Sequence, residues 1–364
     1  MELATSPWFL ALAGLAAGFV LGFVARANHF CTMSGLERYW YAGDGRGLRT
    51  WMLAAAAALV ATQALQFLGY VDTASSFYIR SEFGWIGAIA GGIAFGIGMA
   101  LVGTCGFGAL VRLGGGSLRS LIVLIVLGLA AMSAQKGLLA QARVAISDNQ
   151  AIDLSRLGGQ SVGVIVSTIT GVDLTIPVAA ALVIMLLAWV FASRDYRRHY
   201  GSIATGLTVG LVIAFGWWAT SFAAEHSFDV VQIEAGSFVV PVADTMMHII
   251  TFTGLLPDYG VGLVLGVVAG AAVCAFWKRD VRWEACDDAR ELSRHLAGGV
   301  LMGVGGVFAM GCTIGQGVTA VSALAISAPV VIASIFLGAR IGLAYLIEGS
   351  PLEALRSFLH QPAE

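Results

Sequence analysis

The stretch Gly298–Gly317, GGVLMGVGGVFAMGCTIGQG, decides how the rest of the chain is read. It starts as an apolar, glycine-spaced run suited to a membrane helix and then ends on Cys312, set between Gly311 and Gly315. Glycines around such a point let one helix stop and a new short one begin inside protein, because a backbone without Cβ bends and packs where others clash. A helix start carries unpaired N–H groups and the positive end of the helix dipole, which suits an anion. The question is whether the rest of the chain repeats this arrangement.

Composition settles the solvent. With 58% hydrophobic and 12% charged residues, and a mean hydropathy of +0.85, the chain cannot clothe a core in charge, so it reads as an all-α polytopic membrane protein. A net charge of −2 excludes a nucleic-acid binder, which needs a basic face against phosphates. The N-terminal run has no Lys or Arg before its apolar core, so it reads as a retained first helix. Windows of about 20 apolar residues fall near 8–25, 50–68, 85–103, 119–139, 175–192, 203–222, 259–277, 296–311 and 327–347. They predict about nine transmembrane helices. A tenth piece, Val239 to Leu256, is short and holds Pro241, Asp244 and His248; it reads as re-entrant or interfacial.

Basic residues cluster after the first span (Arg26, Arg38, Arg46, Arg49), the fifth (Arg194, Arg197, Arg198) and the seventh (Lys278, Arg279, Arg282, Arg290, Arg294). If Val239 to Leu256 does not cross, all three loops share one side, which the positive-inside rule makes cytoplasmic. The N-terminus is then outside and the C-terminus inside.

The spacing G-x3-G-x8-C occurs three times, in Gly18, Gly22 and Cys31, in Gly92, Gly96 and Cys105, and in Gly299, Gly303 and Cys312. A fourth copy has Gly206 and Gly210, with Ala219 where the cysteine would stand. Single G-x3-G matches are common in membrane helices. The second and third copies say more, because Gly91, Gly92, Gly96, Gly98, Cys105 and Gly108 all recur at one offset in Gly298, Gly299, Gly303, Gly305, Cys312 and Gly315. The expectation is two inverted repeats: a first half over 1–142, a connector with one membrane helix over 143–202, and a second half over 203–364. Substrate sites in such frames lie where broken helices meet.

A catalytic thiolate wants His, Lys or an electropositive pocket, and the sequence around Cys105 and Cys312 offers none. A thiol in apolar surroundings stays neutral and acts as a weak, polarizable donor. That suits a soft sulfur anion. A structural disulfide and soft-metal binding compete, the latter because Met33, Met99, Met302 and Met310 lie close by in sequence and thioether with thiol suits Cu(I). Cys274 and Cys286 lie outside the repeat and read as bystanders.

Three cysteines in Gly-rich breaks, the last in the setting GCTIGQG, resemble the YeeE/YedE family of bacterial inner-membrane proteins over nearly the whole chain. The resemblance implies a thiosulfate uptake protein with inverted halves and short helices meeting near the centre of an hourglass. It assigns Cys31, Cys105 and Cys312 as relay thiols, and implies no metal, nucleotide or other cofactor. It also implies a small cytoplasmic sulfurtransferase-like partner. Gly106, Gly108, Gly311, Gly315 and Gln316 join the expected pathway, Gln316 as an anion donor weighed against helix packing. Rival readings are a sulfur-transfer protein forming a cysteine persulfide, a selenium-species permease and a soft-metal permease. No enzyme activity is expected, and the absence of G-x4-G-K-[ST] argues against direct ATP coupling.

The sequence departs from that family in its long segment Gln141 to Val172 and in the loop EHSFDVVQIEAGSF, whose Glu225, His226, Asp229 and Glu234 read as outer-surface decoration. Arg340 lies inside the last span, where an ionisable group marks function by default, with snorkelling as the competitor. Gln63, Gln66 and Lys136 are similar cases. His248 reads as a satisfied interfacial histidine rather than a proton-coupling group.

Overall fold

The computed structural model describes residues 8–227, 230–252 and 257–349. Helices α1 (Phe9–Ala27), α2 (Thr32–Ala42), α3 (Arg46–Phe67), α4 (Trp85–Val102), α5 (Gly106–Gly114) and α6 (Leu118–Gln135) make the first part of the bundle. Next come α7 (Leu138–Ile146), α8 (Val162–Thr170) and α9 (Thr175–Phe191). The last part holds α10 (Tyr200–His226), α11 (Val240–Ile250), α12 (Tyr259–Trp277), α13 (Ala289–Phe308) and α14 (Ser327–Glu348). Among the described residues seven helices are long and apolar enough to cross a membrane. The windows 175–192 and 296–311 fall on α9, which is apolar but 17 residues long, and on α13, whose opening turns carry Arg290, Glu291 and Arg294. The chain is a multi-pass membrane protein.

Glycine stripes set the packing. α1 lies along α12, and a methyl group at Gly14, Gly18 or Gly22 would strike the carbonyl of Tyr259, Leu263 or Val267. The reverse holds for Gly262, Gly266 and Gly270 against Ala11, Leu15 and Phe19. Between apolar helices in lipid, such backbone approach replaces the hydrophobic drive that water would supply. α3 packs on α10 in the same way, α4 on α14, and α6 on α13, while α4 and α13 also contact each other.

The three basic loops gather at one end of this bundle. Arg26 pairs with Asp280 at 3.1 Å, Arg46 lies 3.9 Å from Asp195, and Lys278 Nζ donates to the Ala27 carbonyl at 2.6 Å.

At the opposite end the segment 141–172 is tied down. Strand β1 (Glu82–Phe83) pairs antiparallel with β2 (Ile152–Asp153), Glu82 opposite Asp153. Gln160 is the clasp: its Nε2 donates to the Glu82 carbonyl at 2.8 Å and its own carbonyl accepts from Ile326 N at 2.9 Å.

The fourth repeat copy behaves differently from the others. With Ala219 in place of a cysteine, α10 runs unbroken to His226, and residues 230–237 ahead of α11 have no regular secondary structure. Buried irregular backbone needs partners, and threonines supply them. Thr220 Oγ1 donates to the Glu234 carbonyl at 2.8 Å, and Thr319 Oγ1 donates to the Gly236 carbonyl at 2.8 Å. Glu225 is exposed as expected, but Glu234 is not surface decoration: it is half-buried, its carboxylate against the start of α12. Asp229 lies outside the described residues. At 11 residues α11 spans about 16 Å, half a bilayer; residues 253–256 of the apolar piece lie outside the described part.

Candidate functional site

Each of the three repeat cysteines stands at the start of a short helix, and the local backbone is shared. Two residues before each thiol the chain turns through the left-handed region, at His29 (φ 53°), Gly103 (φ 75°) and Met310 (φ 54°). Each cysteine carbonyl then accepts the first bond of the next helix, from Gly35 N, Ala109 N and Gln316 N at 3.0, 2.9 and 2.8 Å. Cys31 and Cys105 are the N-caps of α2 and α5. Cys312 opens a helical segment over 313–322 that widens to a π-helix at Gly315–Ala320. Such π segments recur at functional positions. Gly315 N reaches Cys312 Sγ at 3.4 Å, as a helix donor reaches a capping oxygen.

These starts converge. Cys31 Sγ lies 3.7 Å from Thr104 Oγ1, the residue before Cys105. Cys105 follows Thr104 directly, and Gly106 after Cys105 and Gly315 after Cys312 back onto the neighbouring residues Phe238 and Ser237, so the three starts share one neighbourhood. Around them Phe107 packs on Phe238 at 4.9 Å and on Phe30 at 6.4 Å between ring centroids. Cys105 and Cys312 are each 1% exposed, whereas Cys31 is half-exposed. All five cysteines are free thiols.

The glycines read from the sequence line this meeting point. A β-carbon at Gly108 would strike Thr104 Oγ1 and come within 3.5 Å of Cys31 Sγ; one at Gly106 would come within 3.3 Å of the Phe238 carbonyl. Gly311, at φ 154°, backs onto Gln316, and Gly315 faces Tyr78. Gln316 is fully buried, and its amide nitrogen donates to the carbonyls of Ala309 and Met310 at 3.0 and 3.1 Å. Both of its N–H groups are therefore spent on the broken end of α13 rather than held open for an anion.

Two cavities open at the basic end. One, of about 490 Å³, is lined by five arginines (Arg26, Arg112, Arg119, Arg282, Arg294) against three carboxylates (Asp280, Glu284, Glu291), with His29 and Thr104 also in its lining. Arg119 holds Glu291 at 2.7 Å and Glu284 at 2.8 Å. Arg112 and Arg294 have no carboxylate partner among the described residues. The second cavity, about 220 Å³, is lined by Cys31, Asn28, His29, Arg38 and Arg46. The surplus of positive charge raises the local concentration of anions.

Other sequence-flagged groups find structural partners. Arg340 stacks over Trp40 and Tyr41 at 5.4 and 5.3 Å. Gln63 donates to the Ser322 carbonyl and Gln66 accepts from Thr73. His248 departs from the reading of a satisfied histidine: it is half-buried and its Nε2 has no hydrogen-bond partner. Met33, Met99 and Met302 belong to the hydrophobic core.

Sequence reading missed Thr104, Thr313 and Tyr78. The threonines had a visible signal, since every repeat cysteine has one beside it: Thr32, Thr104 and Thr313. Tyr78 had none, because it arrives from the distant loop between α3 and α4.

Comparison with known proteins fits this geometry. The family model described as sulphur transport matches residues 27–341. The chain is 25% identical over 327 residues to the thiosulfate transporter TsuA of Escherichia coli strain K12, covering 84% of this chain and 86% of that protein. It is 23% identical over 327 residues to the thiosulfate transporter TsuA of Spirochaeta thermophila, covering 86% and 92%. The family match takes in all three helix breaks, and the chain belongs to the sulphur transport family.

Proposed function

We propose that this protein takes up thiosulfate, or a closely related sulfur anion, across the bacterial inner membrane along its three cysteines. The observation that carries the reading is the meeting of three helix starts, each begun by a thiol: Cys31 Sγ lies 3.7 Å from the residue before Cys105, and the starts after Cys105 and Cys312 back onto adjacent residues 238 and 237. The anion enters from the end capped by 141–172 and passes Cys312, Cys105 and Cys31 in turn. Neutral thiols donate weak S–H bonds to its terminal sulfur, and helix N-termini offset its charge. It leaves into the arginine-lined cavities, where a sulfurtransferase-like partner on the cytoplasmic side would accept it. No bond in the anion is made or broken.

The same reading takes the chain as two inverted halves joined by a connector. Its support is the exchange of packing partners, α1 on α12 with α3 on α10, and α4 on α14 with α6 on α13. The shared left-handed residue two positions before each thiol adds to it.

The test is uptake of labelled thiosulfate by the purified full chain in liposomes. Ala at Cys31, Cys105 or Cys312 is expected to abolish uptake while the protein stays monodisperse. Full transport by all three single variants would sink the thiol pathway, and a persulfide found on a cysteine after turnover would favour sulfur transfer instead.

A further inference from the structure

Two buried hydroxyls beside Cys312 have no partner. Tyr78 is 2% exposed and its Oη makes no hydrogen bond; Thr313 is 2% exposed and its Oγ1 makes none. Buried polar groups in folded proteins are nearly always paired, so each orphan calls for a reason. Packing alone does not supply one. A phenyl ring at 78 would keep the edge contact with Trp217 at 6.4 Å and the contact with Phe77 at 4.0 Å, and a valine would fill the space of Thr313.

Position supplies the reason. Tyr78 Oη lies 2.9 Å from where a β-carbon on Gly315 would stand, and Gly315 N is the group that reaches Cys312 Sγ. Ser237 Oγ lies 3.2 Å from that same point. Thr313 follows Cys312 directly, in the first turn of the helical segment that Cys312 opens. The two orphans thus both stand at the first turn after Cys312.

Resting on the transport reading, we propose that the hydroxyls of Tyr78 and Thr313 form an oxyanion station beside Cys312: they donate to the sulfonate oxygens of the passing anion while its terminal sulfur meets the thiols. The ligand class is a tetrahedral sulfur oxyanion that also carries a soft sulfur. Hydroxyls rather than arginines suit this place, since a site on a pathway must bind strongly enough to admit the ion and weakly enough to release it. Oxygen donors also provide selection that thiols cannot, because a site built to hydrogen-bond disfavours solutes without the matching acceptors.

The experiment measures labelled thiosulfate uptake against concentration for the full chain in liposomes, with Tyr78→Phe, Thr313→Val, Thr313→Ser and Cys105→Ala. Loss of one hydrogen bond to a charged solute predicts a half-saturating concentration raised about ten- to a hundredfold in Tyr78→Phe and Thr313→Val, with the maximal rate far less changed. Thr313→Ser restores the wild-type value. Substrate-free Tyr78→Phe melts near the wild-type temperature, because the ring contacts with Trp217 and Phe77 remain, but loses the stabilisation that thiosulfate confers on the wild type. Wild-type half-saturation in both Tyr78→Phe and Thr313→Val overturns the station. If Cys105→Ala is inactive while those two transport normally, the station alone fails; if Cys105→Ala and both of those transport as the wild type does, the station fails and the thiol pathway loses its central member.

Discussion

Thr104 Oγ1 stands 3.7 Å from Cys31 Sγ and joins two helix breaks that lie 73 residues apart in the chain. The contact places a hydroxyl where the α4–α5 break meets the first thiol, in the lining of the arginine-lined cavity. Thr104→Val keeps the shape and removes the hydroxyl, so the initial rate of thiosulfate uptake is expected to fall about tenfold, the worth of one such bond. Thr104→Ser is expected to retain transport. Equal rates for threonine and valine would remove the hydroxyl from the mechanism.

Exposure ranks the three thiols. Cys31 is half-exposed and lines a cavity at the basic end, whereas Cys105 and Cys312 are closed off. In variants that keep one cysteine each, a charged thiol reagent added from the basic end should modify Cys31 at least about tenfold faster than the other two. Comparable rates at all three would contradict the order Cys312, Cys105, Cys31.

The interlocked glycines of α1 and α12 leave no room for a methyl group. Gly18→Ala drives a carbon into the Leu263 carbonyl, and Gly266→Ala drives one into that of Leu15. Each should lower stability by about 1–3 kcal/mol through forced separation of the helices. Gly201→Ala, whose nearest neighbour would be Asn28 Oδ1 at 3.5 Å, is the control and should be neutral. Melting in detergent would show the difference, and three equal melting temperatures would mean that the helices part without cost.

Gln316 bonds the carbonyls of Ala309 and Met310. Gln316→Met fills the space yet strands two buried acceptors, each costing about 1–3 kcal/mol. Thermal stability should therefore drop before transport chemistry is considered. A variant as stable as the wild type but unable to transport would return Gln316 to the anion pathway.

The clamp at the basic end carries a pH signature. Glu291 stands in the first turn of α13, ahead of the apolar window, and the Asp287 N–H and Arg119 hold its carboxyl below the ordinary range. A depressed carboxyl contributes stability above its unfolded value and loses it as pH falls through the folded value. Acidification below the ordinary carboxylate range should thus lower the melting temperature, and Glu291→Gln should flatten that part of the profile. An unchanged acid limb in the variant would show that the clamp does not hold the loop.

Most of the architecture was legible because it rests on local properties. Apolar run length marks membrane helices whatever their neighbours; every apolar window falls on a helix, although α13 begins at Ala289, well before its window, and seven helices rather than nine are long and apolar enough to cross among the described residues. Glycine spacing marks faces that can approach closely, and the G-x3-G stripes do form the contacts of α1, α4, α10 and α13. The cysteine offset marked the helix breaks, because glycine and a capping residue end one helix and start another by backbone geometry alone.

What the chain folding on itself decided lies across those elements. Nothing local showed that Glu234 would be folded in against α12, since its neighbours in sequence are loop residues. Nor did spacing reveal that Gln316 would spend its amide on α13, or that Tyr78 would reach Gly315 from a loop more than 200 residues earlier. Period and composition determine which face of a helix is apolar or small; which donor meets which acceptor depends on where separate helices cross, and only the packed bundle sets that.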